Sequence, residues 1–394
     1  MKISLKININ LCLWLLFVLF ASCEGFYSIS VREDTGDNSG FDDNTDSIVE
    51  YESFEKDSFD FQEQFEDEIL DIQLENSSDI FDIISEPDSS DPCSGIVCWE
   101  HSHCVSGRCY CDDGYVDVGG ACRLPDPTDP EARTEEQVCD RWRSDYPELA
   151  TWIWHEGASE CDPGEVSEEA RNDGVRRINL FRWLVGLEPV TRGAPEIESS
   201  EQSCAIMMLR NGTINHNPPS SWNCYTSEGA RGASSSNLAM GTPTPANAID
   251  LYISDWGNET TMGHRRWILY PPYSSAAIGH AGSFNCLHVF SWGGTSSRRW
   301  VAFPSPGPYP VQGVLGSWTF SSDGVGSSTS VSIIKESNGA TIPVQTTLLA
   351  GGYGLPTVSF DPHEAVVGET YAVTVTGLSG GDVTYRIKIV DCGI

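Results

Sequence analysis

The central part of the chain has the hydrophobic pattern of amphipathic helices. One run of apolar residues at helical spacing precedes Gly186, which ends the predicted helix: Val175, Ile178, Leu180, Phe181, Leu184 and Val185. A second helix is predicted from about Ile197 to Arg210, with Asn211-Gly212 as its stop, and a third over Pro245 to Ser254.

The pattern changes to strands after residue 275. Residues 276–294 predict two strands that are joined by the turn residues 282–285. Beyond Trp300, turn residues separate short runs rich in Val, Thr and Ser: Val314–Phe320, Ser328–Ile334, Thr346–Leu349, Thr357–Phe360, Tyr371–Val375 and Val383–Val390. These runs predict an all-β sandwich over residues 300–394, with a structural or adhesive role.

The N-terminus has the features of a secretory signal. Lys2 and Lys6 precede an apolar run from Leu11 to Phe20, which is too short to span a bilayer, so residues 1–23 are predicted to be a signal peptide. The junction Phe-Ala-Ser-Cys resembles a bacterial lipobox, in which Cys23 would become the lipidated N-terminus; cleavage after a small residue is the alternative. We therefore expect an exported protein, either secreted or a lipoprotein of the cell surface or outer membrane, that contacts a membrane only through this anchor.

The charge of the chain is strongly negative, with a formal net charge of −34. Residues 24–92 contain 23 Asp and Glu against Arg32 and Lys56, and such self-repulsion predicts a disordered acidic linker. The apolar residues within it could instead form a partner-binding segment. The acidic balance argues against nucleic acid as a partner, because phosphates would be repelled.

The 14 cysteines indicate an oxidising compartment. Six of them lie within residues 93–123, a segment too small for a core of its own, so it requires disulfide staples. The spacing, with one residue between Cys109 and Cys111, resembles an EGF-like module. Spacing alone leaves fifteen connectivities open, and the resemblance implies three pairs: Cys93–Cys104, Cys98–Cys109 and Cys111–Cys122.

Six further cysteines lie between residue 130 and the C-terminus. Because neighbours in sequence close short loops at low entropic cost, we expect the pairs Cys139–Cys161 and Cys204–Cys224. Cys286 and Cys392 then remain as a long-range pair, which would clamp the second predicted strand of residues 276–294 to the last strand of the sandwich.

Seven segments of the central region follow one another in a specific order: RINLFRWLVGLEPV, NGTINHNPP, SSNLAMG, AIDLYISDWGN, MGHRRWIL, AAIGHAG and LHVFSWGG. Together they resemble the ordered motifs of the CAP superfamily, the SCP-like extracellular domains. The resemblance implies an α-β-α sandwich over residues 131–299. The chain as a whole is then an α+β protein with the EGF-like module before this domain and the β-sandwich after it.

The resemblance also implies a cleft in which two histidines and two acids converge, and which holds a divalent metal in several members. The histidines correspond to His216 and His264, and the second acid to Asp255. Ser236 stands where the first acid is expected, although Glu228 could supply a carboxylate nearby. His216, His264 and Asp255 with an open fourth position would suit zinc, and a satisfied polar network that locks the loops is the alternative.

These features favour an exported binding or interaction protein that uses the cleft for a small ligand, a metal or an unidentified extracellular partner. The alternative is an extracellular hydrolase, metal-assisted or serine-type, acting on polymer or protein, with Ser236 posed beside His216 or His264. Ser236 does not lie in the G-x-S-x-G signature of one large hydrolase class. Four tryptophans could line a sugar or lipid groove or simply pack in the core: Trp222, Trp267, Trp292 and Trp300.

Overall fold

The computed structural model describes residues 93–94, 98, 100–105, 108–113, 115–118, 121–123, 128–296 and 298–393. The predicted signal peptide, the lipidation at Cys23 and the acidic linker lie outside the described residues. Within this described part, no helix is both long enough and apolar enough to cross a bilayer.

The cysteine-rich segment at the start of the described chain consists of two antiparallel hairpins. Their strands are β1 (Ser102–Val105), β2 (Arg108–Cys111), β3 (Val116–Val118) and β4 (Ala121–Arg123). The disulfides are Cys93–Cys104, Cys98–Cys109 and Cys111–Cys122. This connectivity is the one that the EGF-like resemblance implies.

The central region alternates helices with short strands. In chain order its elements are α1 (Glu135–Asp145), β5 (Trp154–His155), β6 (Glu165–Val166), α2 (Glu168–Leu184), β7 (Thr191–Arg192), α3 (Pro195–Asn211), α4 (Ser227–Ser234), β8 (Ser236–Met240), α5 (Pro245–Ser254), α6 (Gly263–Ile268), β9 (Ser275–Ala276), β10 (Ile278–Ala281) and β11 (Phe284–His288).

The helix ends follow local sequence signals. Thr134 and Gln137 form a capping box at the start of α1, and the hydroxyl of Ser167 accepts the Ala170 N–H at the start of α2. Gly186 and Gly212 both adopt left-handed backbone conformations after α2 and α3, where a side chain would be disfavoured. The three helices predicted from hydrophobic spacing are therefore confirmed.

Three antiparallel strands in the order β10-β11-β8 form the middle layer of this region. Alternate residues face opposite sides of a strand. On one side Leu238 and Cys286 pack with α3, and on the other Ala239 and Leu287 pack with α2 and α5. Gly279 allows α3 to approach closely, because a Cβ there would lie 2.0 Å from the Glu201 carbonyl oxygen. The result is an α+β region with helices on both faces of the sheet.

The C-terminal region is rich in strands. They are β12 (Trp300–Phe303), β13 (Gly307–Pro310), β14 (Trp318–Ser322), β15 (Ser330–Lys335), β16 (Thr341–Ile342), β17 (Thr347–Leu348), β18 (Thr357–Phe360), β19 (Thr370–Thr376) and β20 (Val383–Val390). They form a four-stranded sheet, β12-β14-β18-β17, and a five-stranded sheet, β13-β20-β19-β15-β16. Aromatic rings pack between the sheets, with centroids 5.5 Å apart for Trp318 and Tyr371.

The central and C-terminal regions share one hydrophobic core. Phe181 and Ile249 from the helices belong to the same buried cluster as Phe303, Phe320 and Ile387 from the strands. The ring centroids of Phe181 and Phe303 lie 6.5 Å apart. Because apolar burial crosses the boundary at residue 299, each region depends on the other for part of its core.

The three disulfides outside the cysteine-rich segment differ from the predicted pairs, and all three predicted pairs are wrong. The structure joins Cys139 to Cys392, Cys161 to Cys224 and Cys204 to Cys286. Loop-closure entropy rises only with the logarithm of loop length, so it discriminates weakly between partners. The packing of helices on strands decides instead: α3 lies on β11, which brings Cys204 to Cys286. The C-terminus is clamped to α1 rather than to β11.

Candidate functional site

Asp255 and His264 form a tight pair at the end of α5. Asp255 adopts a left-handed conformation as the C-cap of α5, which turns the chain toward α6. Its carboxylate lies 2.7 Å from His264 Nδ1 and also accepts the Arg265 backbone N–H and the Asn258 amide. The Asp255 side chain is fully buried, whereas 19% of the His264 side chain is exposed. The imidazole is thus anchored from within and reaches the surface.

Asn237 ties the backbone of His264 to the sheet, and Tyr252 ties α5 to the same sheet. The Asn237 side-chain amide donates to the His264 carbonyl at 3.1 Å. The Tyr252 hydroxyl lies 3.0 Å from the Asn237 carbonyl and 3.0 Å from Oδ1 of Asn285. These contacts fix α6 relative to β8, and α5 relative to β8 and β11.

A second pair of an acid and a histidine lies on the other side of β8. The Ser236 hydroxyl donates to Glu201 Oε2 at 2.5 Å, and His288 Nδ1 lies 3.4 Å from Glu201 Oε1. The Glu201 side chain is 1% exposed and that of His288 is 14% exposed. Burial raises the pKa of the Glu201 carboxyl above its ordinary range, while the contacts with His288 and Ser236 oppose that rise. Ser236 and His288 are paired in register, so this pair sits at the same end of the sheet as His264.

The remaining predicted cleft residues lie on the α4 side. His216 is partly buried, and its Nδ1 lies 2.9 Å from the Ala233 carbonyl at the end of α4. Glu228 lies in the first turn of α4 and is partly buried. The carboxylate that contacts Ser236 is that of Glu201, which the sequence analysis missed. A glutamate on the buried face of α3, three residues before Cys204, is the signal that could have identified it.

The predicted zinc ligands do not gather into one compact group. Among the residues that the structure describes, one set of three potential ligands has all its ligand atoms within 4.8 Å of one another, and that set is Glu201, Cys204 and Cys286. Its two cysteines are joined in a disulfide, so they offer no thiolate. Zinc bonds of about 2.0–2.2 Å would bring the ligand atoms of one ion within about 4.4 Å of one another. His216, His264 and Asp255 do not form such a set, and zinc binding by these three residues stays a prediction.

Ser235, His288 and Glu201 have the composition of a serine hydrolase triad but a different geometry. In such a triad the serine contacts one imidazole nitrogen and the acid contacts the other. Here both the Ser235 hydroxyl, at 3.2 Å, and Glu201, at 3.4 Å, approach Nδ1 of His288. The Ser235 hydroxyl also lies 2.9 Å from the Arg231 carbonyl. The serine and the acid therefore approach the same imidazole nitrogen, which differs from the geometry of a triad.

The four tryptophans noted in the sequence do not form one groove. Trp267 and Trp292 contact each other, with ring centroids 5.5 Å apart. Trp300 stacks on Phe320 in the C-terminal region, and Trp222 packs against the cluster around α3.

Comparison with known proteins gives one family. Residues 175–292 match the CAP family, described as the cysteine-rich secretory protein family. No curated protein and no solved structure matches the chain. The matched segment begins within α2 and ends after β11, so it contains both acid–histidine pairs.

Proposed function

Because residues 175–292 are a CAP family domain, we propose that the protein is an extracellular binding protein whose cleft holds a small polar ligand. Membership of this family implies an extracellular binding role, and six disulfides suit an oxidising compartment. The proposal adds the place of binding, which is the end of the sheet where β8 begins.

The observation that carries the proposal is that two partly exposed imidazoles each rest on a buried carboxylate. The Asp255 carboxylate lies 2.7 Å from Nδ1 of His264 and holds that ring in one orientation. Glu201 Oε1 lies 3.4 Å from Nδ1 of His288, which also contacts the Ser235 hydroxyl at 3.2 Å. Imidazoles held in place by such contacts are pre-organised recognition groups, because little conformational entropy is lost when a ligand binds them.

The charge of the site suggests which ligands it takes. An imidazole nitrogen can donate or accept a hydrogen bond, so a ligand with hydroxyl groups, which do both, is favoured. The chain carries a net charge of −34, which disfavours anionic ligands. Ser236 and Asn237 are adjacent and face opposite sides of β8, so a ligand that contacts both imidazoles must extend across the end of the sheet.

The test is a thermal-shift screen with defined probes. Neutral polyols, amino sugars and nucleosides, together with zinc, calcium and magnesium chlorides, are added to the wild type, His264→Gln and His363→Gln. His363 is the matched control, because it pairs with Asp361 at an exposed position. We expect a melting shift that His264→Gln removes and His363→Gln keeps. A shift retained by His264→Gln, or no shift with any probe, would contradict the proposal.

The hydrolase alternative has its own test. A fluorophosphonate probe labels an activated serine covalently, and we expect no labelling of the wild type because the Ser235 hydroxyl shares Nδ1 of His288 with Glu201. Labelling that Ser235→Ala abolishes would support a serine hydrolase instead.

We further propose that residues 93–123 are an EGF-like module and that Cys23 carries a lipid. The six cysteines and their 11-residue pairings support the first, and the Phe-Ala-Ser-Cys junction supports the second. Mass spectrometry of the mature N-terminus in the native host tests the lipid, since a mature chain that begins at any other residue excludes it.

A further inference from the structure

Five aromatic side chains from three segments form a continuous cluster at the surface, here called the aromatic patch. Its members are Trp267 and Tyr270 of the α6 region, Phe290 and Trp292 after β11, and Tyr353 of a C-terminal loop. Trp267 contacts the other four, with centroid distances from 5.0 to 6.4 Å. Tyr270 and Phe290 also contact Trp292, at 5.3 and 5.8 Å. The C-terminal loop that supplies Tyr353 lies outside the segment matched to the family.

The aromatic patch exposes apolar surface that a folded chain ordinarily covers. Trp292 is 51% exposed and Phe290 is 44% exposed. Within the described part of the chain, the indole N–H groups of Trp267 and Trp292 make no hydrogen bond to a protein group. The same holds for the hydroxyls of Tyr270 and Tyr353. By contrast, Trp154 and Tyr273 donate to backbone carbonyls. Exposed aromatic residues with unpaired polar tips are typical of interaction sites.

The backbone beneath the aromatic patch is rigid. Tyr273 and Trp292 form a β-bridge, and the N–H groups of Gly293 and Gly294 both donate to the Pro272 carbonyl. Arg266, next to Trp267, donates to the carbonyls of Thr261, Ala350 and Leu355. Rings held in this way lose little conformational freedom on binding.

The five side chains of the aromatic patch carry no carboxylate, amine or guanidinium group. The guanidinium of Arg266 lies 5.7 Å from the ring centroid of Tyr353, but Arg266 is 5% exposed and donates to backbone carbonyls. An uncharged surface on a chain of net charge −34 favours an uncharged ligand and disfavours anionic polymers and anionic lipid.

The size of the aromatic patch favours a narrow ligand over a globular partner. Aromatic side chains bury about 150–250 Å² each when covered, so two half-exposed rings and three less exposed ones offer on the order of 300 Å². A stable protein–protein interface takes about 800 Å² from each partner. A few sugar rings, which present C–H faces to aromatic rings and hydroxyls to the unpaired polar tips, fit this area.

We propose that the aromatic patch binds an uncharged polysaccharide. The aromatic patch shares no side chain with the pair of Asp255 and His264, so the inference does not rest on the proposed function. Retention in affinity gels that contain laminarin, yeast mannan, hydroxyethyl cellulose or glycol chitin tests it, with tryptophan fluorescence titration to measure affinity.

We expect the full-length protein to be retarded by at least one neutral polymer and not by polygalacturonate. Trp292→Ala and Phe290→Ala should each weaken that binding at least tenfold with an unchanged melting temperature. Trp256→Ala is the matched control, because Trp256 is 54% exposed and lies outside the aromatic patch. His363→Gln, at an exposed position outside the aromatic patch, should bind the polymer as the wild type does.

Three outcomes would overturn the proposal. The first is that none of the four neutral polymers retards the wild type. The second is that Trp256→Ala weakens binding as much as Trp292→Ala, which would mean non-specific adsorption to exposed rings. The third is that the aromatic patch mediates binding to vesicles of phosphatidylcholine or to an apolar peptide but not to the polymers.

Discussion

Arg265 of α6 donates a hydrogen bond to the carbonyl of Leu315 in the C-terminal region, over a distance of 2.6 Å. The same guanidinium donates to the carbonyls of Ile253, Ser254 and Ser317. It is almost fully buried, and burial lowers its pKa to about 10, so it remains charged at neutral pH. The helix that carries His264 is therefore held by residues beyond the segment matched to the CAP family.

Replacing Arg265 should destabilise the whole protein. Arg265→Met removes the donors of four buried carbonyls, and each carbonyl left without a partner costs about 1–3 kcal/mol. We expect the free energy of unfolding to fall by at least about 3 kcal/mol, measured in urea with the disulfides intact. Arg265→Lys keeps the charge but not the planar guanidinium group. Its free energy of unfolding should therefore lie between those of Arg265→Met and the wild type. A change below about 0.5 kcal/mol would place Arg265 among residues of no structural importance.

The shared core predicts that the central region does not fold alone. A fragment of residues 131–299 lacks the Leu315 and Ala350 carbonyls, which accept from Arg265 and Arg266. It also exposes the face that packs on Phe303 and Phe320. We expect no cooperative unfolding transition by circular dichroism, whereas residues 131–394 should show one. In the short fragment Cys139 loses its disulfide partner Cys392. Cys139→Ser is therefore introduced into both fragments as a control. A cooperative transition in the short fragment would show that the two regions are independent.

Loss of the Cys139–Cys392 disulfide should cost more than loss of Cys161–Cys224. The first pair is 253 residues apart and the second 63, and the entropy of the unfolded chain rises with the logarithm of the loop that is released. Double serine variants should lose about 2–4 kcal/mol each, with a difference of up to about 1 kcal/mol. Equal unfolding midpoints in urea, or the reverse order, would contradict this ranking.

The sequence predicted the larger elements well and the disulfides poorly. The helix over Pro245–Ser254 and the strands over Thr357–Phe360 and Val383–Val390 match the predicted runs. In these elements a periodic pattern coincides with strong turn residues. The strand β8 was missed because Ser236 and Asn237 are polar, although both are buried. Their burial depends on partners from α3 and α6, which no local pattern reveals.

The candidate site was predicted in part for a similar reason. Asp255 and His264 are nine residues apart, so local sequence and family resemblance found them together. Glu201 lies 35 residues before Ser236 and 87 before His288, and only the packing of α3 on the sheet brings them together. The carboxylate beside Ser236 comes from α3 and not from the position where the family resemblance implies an acid. A comparison made position by position therefore does not find it.

Acid should destabilise the protein partly through His280. This side chain is buried in β10, with Nε2 3.1 Å from the Gly282 carbonyl, and burial lowers its pKa from 6.5 to about 4. Below pH 6.5 the unfolded chain therefore binds a proton that the folded chain does not, so stability falls until about pH 4. Glu201, with its raised pKa, acts in the opposite direction.

The comparison of wild type with His280→Gln isolates this contribution. Between pH 7 and pH 4.5 the wild type should lose roughly 2–3 kcal/mol more than the variant. Urea unfolding at several pH values measures the loss. Parallel pH profiles for the two proteins would show that His280 keeps an ordinary pKa in the folded state.

Gly263 and Tyr353 should be energetically coupled. A Cβ on Gly263 would lie 2.5 Å from Cδ1 of Tyr353, closer than atoms can approach without movement. Gly263→Ala should therefore destabilise the protein by about 1–3 kcal/mol, the usual cost of overpacking. In a Tyr353→Ala background the space is open, so the same substitution should cost much less, and the double-mutant cycle should give a coupling of at least about 1 kcal/mol. Gly212→Ala is the control, because no atom lies within 4 Å of a Cβ there and its cost comes from the backbone alone. Additive effects of Gly263→Ala and Tyr353→Ala would mean that the loop carrying Tyr353 moves away freely. The ring of Tyr353 would then not be the reason that position 263 requires a glycine.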